Sequence, residues 1–142
     1  MKQETAQDRA NELEVINKVA QKWDVEVFKN PEKAYNVDFS LLKNGKVWAL
    51  AEVKCRNEQF EPYKISMRKT HELCSYASEF PTINVFLIVQ WKGHGIHYVD
   101  VQKIPKVDFS LWDTHVGEKR GAPCDKEPAI EIDLSRFKKI CD

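Results

Sequence analysis

The chain has 142 residues, 42% of them hydrophobic and 31% charged, which is enough apolar material for one ordinary globular core and too much for a disordered chain. Lys and Arg number 22 and Asp and Glu number 22, so the net charge is zero and no global basic field draws in nucleic acid. Any such binding must rest on a local patch.

The N-terminal Met1-Lys2-Gln3-Glu4-Thr5 is polar and lacks the apolar stretch of a signal peptide. No run approaches the roughly 20 apolar residues of a membrane span. A soluble, cytoplasmic protein without membrane contact is expected. Cys55, Cys74, Cys124 and Cys141 contain no CxxC pair, which argues against a zinc ribbon or an iron–sulfur cluster and for reduced thiols.

From about Thr5 to Trp23 the spacing predicts a helix with Leu13, Ile16, Val19, Ala20 and Trp23 on one face. Val25–Lys29 alternates like a short strand, ended by Asn30-Pro31. Val37–Leu42 and Lys46–Cys55 are predicted strands around Lys43-Asn44-Gly45, and Asn-Gly is the strongest short hairpin signal. The second strand is apolar on both faces, with Trp48 and Leu50 on one, so it should be central. Ser66 can cap a helix running to about Glu79, before Pro81. Ile83–Trp91 and Ile96–Val101 are further strands, joined by Lys92-Gly93-His94-Gly95. After Pro105 an irregular tail is expected, with a strand at Ala129–Ile132 and a helical turn near Phe137. The expected fold is α/β over residues 1–142 as a single domain: an α-β-β-β-α-β-β core with a mixed sheet flanked by helices.

Glu52 and Lys54 interrupt the central strand. A period of two points both the same way, and burying such charges is costly unless they are paired or bind something charged. Asp38 lies on the preceding strand, where hairpin pairing brings it near Ala51 and Glu52. A buried Glu–Lys salt bridge with an unrelated surface Asp explains each residue alone. The set, an acid fourteen residues before an acid-x-Lys on a hairpin, favours chemistry instead. Two carboxylates can hold Mg²⁺ or Mn²⁺ beside a phosphodiester, with the Val53 carbonyl as a further ligand, and a neighbouring lysine can serve the attacking water or the developing charge.

Asn36-Val37-Asp38 followed by Ala51-Glu52-Val53-Lys54 resembles the PD-(D/E)XK nuclease superfamily, with its restriction-endonuclease-like fold. Val37 stands where the motif has proline. The segments Ile65-Ser66-Met67-Arg68-Lys69, Phe86–Trp91 and Glu127-Pro128-Ala129-Ile130 also look similar to small phage-type members. The resemblance implies Asp38 and Glu52 as metal ligands, Lys54 as the catalytic lysine, and a first-helix carboxylate as auxiliary ligand. It further implies a DNA substrate cut by in-line attack of a metal-activated water, in the host cytoplasm if a phage encodes the chain, and allows a homodimer. At about 100° per residue Glu12 falls on the apolar arc of the first helix and Glu14 on the opposite side, so Glu12 is the auxiliary candidate. Lys69, near the start of the second helix and on its apolar side, is placed to meet a phosphate.

Arg68, Lys64 and Arg120 are candidate nucleic-acid contacts, as are Lys103, Lys106, Lys119, Arg136, Lys138 and Lys139; a solvated surface explains these equally well. Trp112 could stack on a base or be buried. His71, His94, His97 and His115 show no metal-like spacing. Two other readings stand beside the nuclease: a catalytically silent nucleic-acid-binding or protein-interaction module on the same fold, and a structural protein with a buried ion pair.

Overall fold

A computed structural model describes residues 5–104, 108–113 and 126–142. Its elements are α1 (Ala6–Trp23), β1 (Glu26–Lys29), β2 (Phe39–Lys43), β3 (Lys46–Arg56), β4 (Tyr63–Ser66), α2 (Met67–Glu79), β5 (Asn84–Trp91), β6 (Gly95–Asp100), β7 (Phe109–Asp113), β8 (Lys126–Ile132) and β9 (Lys138–Cys141). Six strands form a mixed sheet in the order β1-β2-β3-β5-β6-β9, and β4-β8-β7 form a second, three-stranded sheet. The α/β class and the central place of β3 agree with the sequence.

Local chemistry accounts for the elements. Thr5 caps α1 through a reciprocal pair with Asp8. Ser66 caps α2, its hydroxyl accepting from the Lys69 amide at 3.0 Å. Asn44 and Gly45 both have positive φ, 52° and 75°, as the turn between β2 and β3 requires. β3 pairs parallel with β5, so it needs the crossover that α2 supplies.

Each face of the large sheet has its own core. Val15, Ile16, Val19, Phe39, Leu41, Ala49, Ala51, Val53 and Ile88 pack on the α1 side. Leu50, Leu73, Ala77, Leu87, Val89 and Trp91 pack on the α2 side, together with Ile130 and Ile132 from the second sheet.

Three expectations need correction. Leu13 is 47% exposed, and Val15 takes its place on the buried face of α1. Trp48 does not share a face with Leu50. Leu41 pairs with Ala49 and Leu42 with Val47, so Trp48 is the extra residue of a bulge; its ring meets Trp23 and Phe86 on the α1 side. The described residues after Pro105 hold three strands where an irregular tail with one strand was expected, because β8 is stabilised by long-range partners, β4 and β7, which a local reading does not contain.

Candidate active site

The site lies where β3 runs past the end of β2. Pairing between them ends at Phe39↔Ala51, whereas β3 stays paired to β5 as far as Arg56↔Trp91. One backbone edge of β3 is therefore open from Glu52 onwards, and Asp38 fills its start: the Val53 amide donates to Asp38 Oδ2 at 3.0 Å. Asp38 itself is held by a buried asparagine. The Asn30 amide donates to the Asp38 carbonyl at 3.0 Å, its side chain donates to the Val37 carbonyl at 3.1 Å, and it accepts from the Ser40 hydroxyl at 2.7 Å. Asn30 was missed from the sequence, where Asn-Pro read only as a strand stop.

Glu52 and Lys54 point to the α2 side with Leu50. Glu52 is 2% exposed. Its Oε2 lies 3.4 Å from Lys54 Nζ and 3.5 Å from Lys69 Nζ, and its Oε1 is buried without a hydrogen-bond partner. Lys69 Nζ also lies 3.5 Å from Glu72 and donates to the Asn36 carbonyl at 2.7 Å. Glu72, which also meets Arg68 at 3.5 Å, was not singled out from the sequence. Its spacing of one helical turn from Lys69 was the available signal. Asp38 Oδ1 has a looser contact, 3.9 Å, with Lys29.

The charges are unevenly satisfied. Burial pushes the Glu52 carboxyl up, the Asp38 charge adds to that, and Lys54 and Lys69 only partly offset it. Burial alone would lower Lys54, yet Glu52, Asp38 and Tyr63 hold its ammonium above the ordinary lysine value. The pair is asymmetric because the Lys54 side chain keeps 33% exposure and that of Glu52 only 3%. The anion thus bears the larger desolvation penalty.

A stability consequence follows. A carboxyl raised in the folded state contributes stability that is fully present below its unfolded value and is lost as pH rises through the folded one. The stability of the parent relative to Glu52→Gln should therefore fall as pH rises from the ordinary glutamate value through the raised one. Urea midpoints of both proteins across that window measure it; a constant difference would refute the raised carboxyl.

A buried orphan oxygen beside a second carboxylate is the donor set a hard cation completes, and it fits Mg²⁺ or Mn²⁺. Among the described residues no three His, Cys, Asp or Glu side chains are gathered to hold an ion. Two carboxylates still suffice for Mg²⁺, which keeps several waters of its own.

The structure brings together Asp38, Glu52, Lys54 and Lys69, with Val53 between the two site residues of β3. Glu12 is not gathered with them. Half-buried on α1, it faces the opposite side of the sheet, and its charge is felt at Cys55, directly after Lys54. A helical wheel specifies which side of α1 faces the sheet but not which sheet face α1 covers. Glu14 is exposed and pairs with Lys18. Arg68 is exposed at 78%, and Lys64 lies at the rim of a cavity near the end of β3. Lys103, Arg136 and Lys138 border a different cavity, and Lys139 pairs with Asp142. Arg120, Lys106, Lys119, His115 and Cys124 lie outside the described residues. Cys55, Cys74 and Cys141 are free thiols. Among the described residues no helix is long and apolar enough to cross a membrane.

A solved structure of Hjc, a Holliday junction resolvase from the archaeal hyperthermophile Archaeoglobus fulgidus, matches with a TM-score of 0.58 at 15% identity, covering 92% of each chain. At that identity the likeness concerns the fold, which is restriction-endonuclease-like. A search of curated proteins finds no match. The model of the family described as "Phage putative PDDEXK endonuclease" matches residues 1–140. With a match over nearly its whole length, the chain belongs to this phage PDDEXK endonuclease family.

Proposed function

We propose that the protein is a divalent-metal-dependent nuclease that hydrolyses DNA phosphodiester bonds, with Asp38, Glu52 and Lys54 as its catalytic set. The observation that carries this reading is the Glu52 carboxylate, whose Oε1 is buried without a partner while its Oε2 faces two lysines, with the Asp38 charge close by. A purely structural ion pair has no use for an orphaned oxygen and a second carboxylate that raises its cost.

Asp38 and Glu52 would hold Mg²⁺ or Mn²⁺, with the Val53 carbonyl as a further oxygen ligand. Bound there, the ion would supply positive charge against a phosphate and its in-line nucleophile. Lys54, whose ammonium is favoured at neutral pH, orients the attacking water and compensates charge that develops on the phosphate oxygens. Lys69, held at the start of α2 by Glu72 and the Asn36 carbonyl, presents a second cation to the same phosphate. Glu12, on the α1 side of the sheet beside Cys55, stands outside this set. Arg68 and Lys64, and Arg120 outside the described residues, serve as backbone contacts. The reading includes action as one domain in the host cytoplasm.

The test is incubation of the pure protein with labelled linear, branched and single-stranded DNA, with Mg²⁺, with Mn²⁺, or with EDTA. Cleavage is expected only with a divalent ion. In the same assay Glu12→Gln, whose carboxylate lies on the α1 side of the sheet away from Asp38 and Glu52, and Glu14→Gln should both match the parent. Cleavage undiminished in EDTA would refute the metal-dependent reading. Independently, Mn²⁺ at about 100 times its Kd should stabilise the parent by about 2.7 kcal/mol and leave Asp38→Asn unchanged in Tm. DNA binding without cleavage under any condition would favour the silent module instead.

A further inference from the structure

Beyond the carboxylates, β3 continues into a cavity of about 430 Å³, within the range of small-ligand clefts, roughly 300–1,000 Å³. Arg56 borders it from the end of β3, Phe60 from the segment leading into β4, Tyr63 from the start of β4, Lys64 and Glu131 from paired positions on β4 and β8, and Trp112 from β7. Arg56 shares a strand face with Glu52 and Lys54. At about 3.3 Å per residue it stands roughly 6–7 Å beyond Lys54. Tyr63 acts electrostatically on Lys54, so the cavity and the carboxylate site are neighbours.

The lining is unusual for a surface hollow. Phe60 is 68% exposed and Trp112 half-buried, and neither ring packs on another ring among the described residues. Tyr63, by contrast, is locked edge-on between Trp91 and Phe137 at 5.8 and 5.5 Å and forms a rigid floor. The charge is also selective. Glu58, Glu61 and Glu131 outnumber Arg56 and Lys64 around the cavity. That balance disfavours a phosphate inside, while the carboxylates can accept from the N–H groups of a heterocycle. Free aromatic faces, acceptors and a neighbouring phosphate-handling site together describe a receptor for a flat, uncharged ring attached to a phosphodiester.

We propose that this cavity is a subsite for one unpaired nucleobase of the substrate strand, lying next to the phosphate engaged at Lys54. The proposal rests on the nuclease reading above and specifies its substrate class: DNA with an unpaired or displaced nucleotide beside the cleavage point. A base within a continuous duplex keeps both faces stacked and cannot enter. Extrusion costs unstacking energy, least where the base is already unpaired. Arg56, between Lys54 and the cavity, is positioned for the intervening backbone, and Phe60 and Trp112 supply the stacking surfaces.

The experiment uses two labelled DNAs in EDTA, so that nothing is cut: a fully paired duplex with 2-aminopurine in one strand, and the same strand with the 2-aminopurine left unpaired. The parent is expected to bind the unpaired form more tightly and to quench its fluorescence. Phe60→Ala and Trp112→Ala should lose most of that quenching and weaken the unpaired complex roughly 5- to 160-fold, the range one stacked ring supports. Binding of the paired duplex should stay unchanged, and Trp112→Phe should keep both quenching and affinity. Equal affinity of the parent for both DNAs without quenching would overturn the subsite and leave the nuclease reading standing, as would equal losses on both DNAs in the alanine variants. A parent that binds neither DNA, both in EDTA and with Ca²⁺ in its place, would overturn both.

Discussion

Asp38→Asn should lose cleavage by at least 10²–10³-fold, the scale of deleting one preorganised charged or polar group from a transition-state site, while remaining folded. Asparagine keeps an oxygen that can accept from the Val53 amide, so the 3.0 Å bond that closes the open edge of β3 survives the change. The variant also removes the negative charge that helps to push the Glu52 carboxyl up, at the cost of a 3.9 Å contact with Lys29. Without metal its Tm should match or exceed that of the parent, the pattern expected where two like charges are held together for chemistry rather than stability. Rate assays at saturating Mg²⁺ and thermal melts in EDTA measure the two effects. Full activity in Asp38→Asn would end the assignment of Asp38, and a large loss of Tm would show that its role is structural.

Lys54→Met should be as damaging to activity, by a comparable 10²–10³-fold, and should differ in stability. Methionine keeps much of the stem's volume and removes the ammonium that faces Glu52 Oε2 at 3.4 Å. Glu52 is left with Lys69, and its carboxyl should move further up. Removing one partner of a fully buried pair costs roughly 3–5 kcal/mol. The loss here should be smaller, because the Lys54 side chain keeps a third of its exposure and water screens part of the interaction. The Glu52→Gln/Lys54→Met double variant should recover most of that stability and none of the activity. The coupling between the two residues would then appear in a double-mutant cycle on stability, while catalysis needs both. A double variant as unstable as the sum of the single ones would show that the two residues do not stabilise each other.

The extent to which the site is legible in the sequence depends on how local each signal is. Glu52 and Lys54 stand out because charges are costly in a strand apolar on both faces, a fact visible within ten residues. Asp38 follows from one hairpin, and the Asn44-Gly45 turn specifies that pairing within a few positions. Glu72 was within reach of similar reasoning through its helical turn to Lys69, whereas Asn30 is known by its bonds to Val37 and Ser40. Asn30 is the harder case, since its partners lie seven and ten residues away and no pattern marks a buried amide. Trp48 defeats a parity argument because a single bulge reverses the side to which a strand residue points.

From the sequence alone come the α/β class, the central place of β3, the cap of α2 and the acid-x-Lys pair, since propensity, period and desolvation act over short stretches of chain. The tertiary structure alone decided which face of the sheet each helix covers, and with it that Lys69 meets Glu52 while Glu12 lies across the sheet beside Cys55. It also paired β8 with β4, more than 60 residues away in sequence, and so formed the cavity between Arg56 and Trp112. Such pairings are settled by which surfaces bury most against one another once the chain has closed its long loops, and that competition leaves no local mark in the sequence.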